Sequence, residues 1–236
     1  MKYSDKLIAI SNSTKNDLLK IYPTINADKI KVVYHGYDKK LFHENISPDE
    51  IEKAKNRHMP QASRYMIFVG AIQPRKNIET LLEAFAILRR KKAQKNLNLV
   101  IAGSEGWLAK NIVEKIRSAP GAIMTGKFKT ADLPALIAGA EVFVLPSLYE
   151  GFGLPVLEAM ACGTPVVYAD NSSLGEVAGG AGLPFESASS QKLEKALLEI
   201  LENEKLRSIL REKGIEMAKH FSWEKCAKET LDWLKK

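Results

Sequence analysis

Pro146-Ser147-Leu148-Tyr149-Glu150-Gly151-Phe152-Gly153-Leu154-Pro155-Val156-Leu157-Glu158-Ala159-Met160-Ala161-Cys162-Gly163-Thr164-Pro165 is the stretch that decides how the chain is read. The apolar run Val142 to Leu145, closed by Pro146, predicts a strand. Pro155 suits a first helical turn, where its missing N–H removes nothing, and Gly163 followed by Pro165 ends that helix. A helix therefore starts directly after the Gly151-Phe152-Gly153 hinge. A helix N-terminus presents unsatisfied N–H groups and partial positive charge, and glycines let a ligand approach the backbone, so a phosphate suits this position. Glu158 lies about one turn into the helix, and helical side chains lean back toward the N-terminus, which aims its carboxylate at the same loop. A carboxylate repels phosphate but accepts hydroxyl donors. The pair predicts a site for sugar or ribose hydroxyls beside a phosphate.

Composition sets the frame around this stretch. The 236 residues are 45% hydrophobic and 27% charged, enough for one large globular domain with appendages. No run approaches about 18 consecutive apolar residues, which argues against a membrane span, and the polar start Met1-Lys2-Tyr3-Ser4-Asp5 does not read as a signal peptide. The expectation is a cytoplasmic address, with peripheral membrane attachment left open. Cys162 and Cys226 have no metal or redox spacing and read as small hydrophobes. The net charge of +7 is spread along helices with both signs interspersed. The one basic cluster, Arg89-Arg90-Lys91-Lys92 with Lys95, falls at a helix C-terminus, where it complements the dipole. Nucleic acid is not an expected partner.

From the N-terminus, Lys6 to Ile10 predicts a strand, Ser13 to Tyr22 a helix capped by Ser13, and Lys31 to Tyr34 a second strand before His35-Gly36. These elements are too few to bury their own apolar faces. Residues 39–64 read as a linker carrying a polar helix around Asp49 to Asn56. From Tyr65 short apolar strands alternate with amphipathic helices, the pattern of an α/β, doubly wound parallel sheet. Strands are predicted at Met66 to Gly70, Leu97 to Ala102, Ala122 to Thr125, Val142 to Leu145 and Pro165 to Ala169. Helices intervene from Ile78, with Asn77 as N-cap, and over Lys110 to Arg117 and Ala131 to Ile137. Gln191 to Leu201, Lys205 to Met217 and Trp223 to Leu234, the last capped by Ser222, complete the chain. In a doubly wound sheet ligands bind beyond the carboxyl ends of the strands, where the focal loop, Gly70 to Lys76, Gly103 to Gly106 and Gly126 to Lys129 all fall.

Gln73-Pro74-Arg75-Lys76-Asn77 is a second constellation. Two cations at a helix N-terminus oppose its dipole, so a counter-charge is expected, and a bound pyrophosphate would supply it. His35 reads as a turn residue rather than a base, and Glu176, Trp107 and His220 as structural.

These residues carry a resemblance. Ile10-Ser11-Asn12-Ser13-Thr14, Val33-Tyr34-His35-Gly36-Tyr37-Asp38, Phe68-Val69-Gly70 with Pro74-Arg75-Lys76-Asn77, Ala131-Asp132-Leu133-Pro134, the Glu-x7-Glu motif of Glu150 and Glu158, and Phe221-Ser222-Trp223 resemble the C-terminal, donor-binding half of a retaining glycosyltransferase of family 4 (group 1), with the GT-B fold. The resemblance implies transfer of a hexose from a UDP- or GDP-type sugar with retention and without a metal or other cofactor. Glu158 would hold the ribose. Glu150, as the catalytic carboxylate, would hold the donor sugar with Gly151, Phe152, Gly153 and Leu154, and Lys76 with Arg75 the diphosphate. It further implies that residues 1–38 are a remnant of the acceptor domain, 65–215 the Rossmann-like donor domain and 216–236 a helix crossing back. The glycan or lipid-linked acceptor would be met by an N-terminal domain largely missing here, and self-association or a partner subunit stays open. Ala71 departs from the pattern, since many relatives carry arginine directly after the glycine closing the first strand. Two other readings stand beside this one. The chain is a non-catalytic nucleotide-sugar-binding fragment or split subunit, or Gly151-Phe152-Gly153 with Asp170 some twenty residues on marks an NAD-binding domain.

Overall fold

A computed structural model describes residues 4–126 and 128–235. Expectations that fall on Met1 to Tyr3, Lys127 and Lys236 lie outside the described residues. The central sheet has six strands: β3 (Arg64–Val69), β4 (Leu97–Ala102), β5 (Ala122–Gly126), β6 (Val142–Leu145), β7 (Val166–Ala169) and β8 (Leu183–Phe185). All pair in parallel, in the order β5-β4-β3-β6-β7-β8. The chain winds outward from β3 to β5, returns to the centre, and winds outward again from β6 to β8. Strands buried on both faces need unbroken apolar sequence, which Met66 to Val69, Leu99 to Ala102 and Val142 to Leu145 supply with every residue buried.

The helices are α1 (Asn12–Ile21), α2 (Pro48–His58), α3 (Ile78–Arg89), α4 (Lys110–Ser118), α5 (Leu133–Ala138), α6 (Leu154–Ala161), α7 (Leu174–Ala178), α8 (Ser190–Glu202), α9 (Glu204–Lys219) and α10 (Trp223–Lys235). Helix α3 packs with α4 and α8 on one face of the sheet, and α6 packs with α5, α7 and α9 on the other. Opposite faces follow from the topology, because right-handed crossovers that run in opposite directions along a sheet put their helices on opposite sides. Helix α3 shows the local logic, with Ile78, Leu81, Leu82, Phe85 and Leu88 buried at helical spacing.

Several expectations are corrected. Ser11, not Ser13, caps α1, its hydroxyl accepting from the Thr14 amide. Asn77 occupies the N-cap position of α3 but in a left-handed conformation: its side-chain oxygen accepts from the Thr80 hydroxyl at 2.8 Å rather than from a backbone amide, and its NH2 group donates to the Pro146 and Ser187 carbonyls. The sequence reading also missed α7 and β8, whose five and three residues are too short for a periodic pattern. Residues 39–64 do more than link. A Ser47–Glu50 capping box starts α2, and Phe42, Ala54, Met59 and Ala62 join the core.

The N-terminal elements β1 (Leu7–Ala9) and β2 (Ile30–Val32) form a separate two-stranded parallel sheet. They are joined to α10, where the Trp233 indole donates to the Leu7 carbonyl at 3.1 Å and the His35 and Trp223 rings lie 5.3 Å apart, and α1 docks the group on the main unit through bonds to Gly151 and Glu176. A Cβ on Gly36 would sit 2.0 Å from the Trp223 amide nitrogen, so only glycine lets α10 begin there. The outward side of this appendage keeps Ile8, Ile21, Leu231 and Leu234 exposed.

Candidate functional site

Strand order reverses between β3 and β6, and a crevice opens above that point wherever the following loops diverge to opposite faces. The two constellations singled out in the sequence are the two loops that leave these strands. The β3–α3 loop passes through a 3-10 turn at Pro74–Lys76. The β6–α6 loop spans 146–153. They are fastened together: the Leu148 amide donates to the Arg75 carbonyl at 2.9 Å, Asn77 to the Pro146 carbonyl at 3.1 Å, and the Arg75 guanidinium to the Tyr149 carbonyl.

Glu150 is the hub. Its carboxylate accepts from the Lys76 ammonium at 2.6 Å and pairs with the Arg75 guanidinium at 3.0 Å. Lys76 and Glu150 are both buried, whereas Arg75 is open to solvent. Burial by itself would push the Glu150 carboxyl up, but the charge and hydrogen bond of Lys76, with Ser147 and Arg75 beside it, outweigh burial and hold its pKa below the ordinary value. The counter-charge that the sequence reading sought for the two cations is thus Glu150 itself. Ser147 adds a hydroxyl that is fully buried next to this carboxylate and has no hydrogen-bond partner among the described residues.

The loop after Glu150 is held by its carbonyls. Ser173 shares its one hydroxyl proton between the Glu150 and Phe152 carbonyls, each at 2.8 Å, and Ser11 and Thr14 reach the Gly151 carbonyl at 2.8 and 3.1 Å. Ser172 accepts from the Glu150 amide, while the amides of Gly151, Phe152 and Gly153 donate to no acceptor among the described residues. Gly153 takes the N-cap of α6 at φ 109°, which an L side chain would resist, and a Cβ there would meet Leu174 at 2.6 Å. Phe152 is buried among Tyr34, His35 and Phe221, so its ring serves the packing beneath the loop. His35 is held between Phe152 and Trp223, and burial pushes its pKa down, which fits a packed turn residue.

Glu158 stands apart from this cluster. It lies one turn into α6, shares no hydrogen bond or ion pair with Arg75, Lys76 or Glu150 among the described residues, and burial pushes its pKa up to about 7. Its carboxyl meets no protein donor among the described residues, which leaves its charge poorly compensated.

Ser11, Thr14, Ser147 and Asn171 to Ser173 were not singled out as site residues from sequence. Asn171-Ser172-Ser173 carries a signal, a polar run directly after β7 at the same carboxyl edge. Ser11 and Thr14 carry none beyond helix capping, because their target lies 137 or more positions away. Glu176, read as structural, is an anchor: its carboxylate accepts from the Asn12 and Ser13 amides at 2.8 and 2.7 Å and from the Tyr34 hydroxyl at 3.1 Å. The site is an open shelf. A groove of about 590 Å³ lies at the other, amino ends of the strands, lined by Arg64, Glu141, Pro165 and Arg211. Among the described residues no group of three or more His, Cys, Asp or Glu side chains is placed to hold a metal ion, and no helix is long and apolar enough to cross a membrane.

The family described as "Glycosyl transferases group 1" matches residues 49–217, from α2 to α9. The chain belongs to this family. It is 36% identical over 189 residues to an O-antigen chain mannosyltransferase B of Escherichia coli, covering 79% of this chain and 49% of the relative. The chain therefore spans about half the length of that glycosyltransferase. Among solved structures, Anabaena HepE in complex with UDP-glucose superposes with a TM-score of 0.87 at 20% identity, over 99% of this chain and 64% of that one. A C-terminal domain of a group 1 glycosyl transferase, LpcC from Francisella tularensis, superposes with a TM-score of 0.66 at 22% identity, over 78% of this chain and 97% of that one. The fold matches that of GT-B glycosyltransferase structures. The dinucleotide reading fails on geometry as well. Eight residues, 146–153, separate β6 from α6, where a dinucleotide fingerprint needs a tight turn.

Proposed function

We propose that this glycosyltransferase chain binds a UDP- or GDP-type sugar on the β3/β6 shelf and is the donor-binding half of a retaining hexosyltransferase of the family 4 kind. The observation that carries the reading is the juxtaposition, at the switch point of the sheet, of two cations, one buried carboxylate and a loop with unpaired amides. The mannosyltransferase among the relatives and the UDP-glucose held by one structural neighbour fit a hexose on a nucleoside diphosphate.

In this reading Lys76 and Arg75 hold the diphosphate, Glu150 and the Gly151 to Leu154 backbone the sugar, and Glu158 the ribose hydroxyls. Transfer breaks the bond from the sugar C1 to the β-phosphate oxygen and forms one from C1 to the acceptor oxygen, and the acceptor's proton passes to the departing diphosphate. The charge that develops on that diphosphate is met by Lys76, Arg75 and the N-terminus of α6, so no metal or other cofactor is invoked. A glycan or lipid-linked acceptor is met across the cleft by a domain for which the greater length of the relatives leaves room. That same coverage favours one second reading, a nucleotide-sugar-binding subunit that turns over only with a partner half. A thermal-shift panel of UDP, GDP and ADP sugars with NADH as comparator tests the assignment. At 100 times its Kd the true ligand adds about 2.7 kcal/mol to stability. A rise with one nucleotide sugar is expected, and a rise with NADH alone, or with nothing, overturns it.

A further inference from the structure

The Glu150 loop is gripped from a direction that its own chemistry does not require. Helix α1 presents Ser11, Thr14 and Asp17 at three-residue spacing, and all three reach the same loop. Ser11 Oγ and Thr14 Oγ1 converge on the Gly151 carbonyl at 2.8 and 3.1 Å, and Asp17 accepts from the Tyr149 hydroxyl at 2.8 Å. Each hydroxyl has one proton and a carbonyl has two lone pairs, so both bonds form together. Tyr149 and Gly151 are the residues on either side of Glu150. The grip has its own foundation, because Glu176 on α7 caps the N-terminus of α1 through the Asn12 and Ser13 amides, and α7 is preceded by Ser172 and Ser173, which bind the Glu150 amide and carbonyl. Residues from two distant segments therefore close on the backbone at Glu150 and on its two neighbours.

We infer that α1 is a positioning brace for Glu150, with Ser11, Thr14 and Asp17 as positioning residues that set the carboxylate's place relative to Lys76 and to the donor sugar. None of them needs to touch the ligand. The brace matters most for a ligand that uses Glu150 and least for one that uses only the cations, because Lys76 and Arg75 are carried by the β3–α3 loop. For the second of the two readouts below, the inference rests on the donor reading.

The test uses the whole chain carrying Ser11→Ala with Thr14→Val, and separately Asp17→Asn. The first readout needs no ligand: residue-resolved amide exchange of Leu148 and Glu150, whose N–H groups are bonded to the Arg75 carbonyl and Ser172. The brace predicts exchange at least tenfold faster at these two amides with the amides of β3 and β6 unchanged. No change at Leu148 and Glu150, or acceleration throughout the sheet, overturns it. The second readout is calorimetric. Nucleotide-sugar affinity should fall about tenfold while nucleoside diphosphate affinity stays within twofold, and Ser11→Thr with Thr14→Ser should restore the difference. Equal losses for both ligands overturn the inference. If neither ligand binds the parent chain, the donor reading fails and the exchange experiment decides the brace alone.

Discussion

Glu158→Gln separates a carboxylate kept for a ligand from one kept for the fold. In the folded chain burial pushes Glu158 up to about 7, against an ordinary value of 4.5. Between those two pH values the folded state holds a proton that the unfolded state has released, so stability falls as pH rises through this window and is level above it. At about 1.4 kcal/mol per unit of pH, the penalty at pH 8 reaches a ceiling of about 3.5 kcal/mol, reduced by whatever solvent reaches the carboxyl. Glutamine keeps the shape and removes the charge. The variant should therefore match the parent at pH 4.5 and exceed it by about 1–3 kcal/mol at pH 8, a rise in Tm of several degrees. Urea unfolding at half-unit pH steps measures it, with the Glu158 carboxyl followed by carbon-13 NMR. Ribose hydroxyls stabilise the ionised form, so nucleotide affinity of the parent should climb as pH rises through about 7 and that of the variant should stay level. A parent–variant difference that does not change with pH, or a Glu158 that titrates near 4.5, refutes the reasoning.

Lys76→Ala strands a buried Glu150 beside the exposed Arg75, so a loss of about 3 kcal/mol in urea unfolding is expected together with a ten- to hundredfold loss of nucleoside diphosphate affinity by calorimetry. Gly36→Ala places a Cβ on the Trp223 backbone and should release α10, which limited proteolysis near Ser222 and a shift in tryptophan emission would report. Burial pushes the Cys162 thiol up to about 12, so in the folded chain at pH 8 it should resist iodoacetamide while the less buried Cys226 reacts.

Much of this molecule is legible in its sequence because its strands and helices are local statements. Val142 to Leu145 is an unbroken apolar run that only a doubly covered strand can use, and Pro155 and Gly163 mark the ends of α6 by their own stereochemistry. The two loops that matter were legible too, since both follow strands and both concentrate glycine or charge. What escaped is what long-range contacts decide. Asn77 has the composition of a helix cap, yet its side-chain oxygen accepts from the Thr80 hydroxyl rather than a backbone amide and its NH2 group donates to the distant Pro146 and Ser187 carbonyls, partners that no local pattern announces. Lys76 and Glu150 each looked like a ligand-binding charge, and the sequence held nothing to say that they would first meet each other across 74 positions. Ser11 and Thr14 read only as the start of a helix, because a hydroxyl's partner is fixed by packing rather than by spacing.

The central claim is that the β3/β6 shelf holds a nucleoside diphosphate through its cations and a ribose through Glu158. Calorimetric titration of the chain with UDP, GDP and inorganic pyrophosphate, repeated on Lys76→Ala and Glu158→Ala, measures this directly. The account predicts that Lys76→Ala weakens every diphosphate, whereas Glu158→Ala weakens the nucleotides and spares pyrophosphate. Unchanged affinity in Lys76→Ala, or equal losses for nucleotide and pyrophosphate in Glu158→Ala, would contradict it.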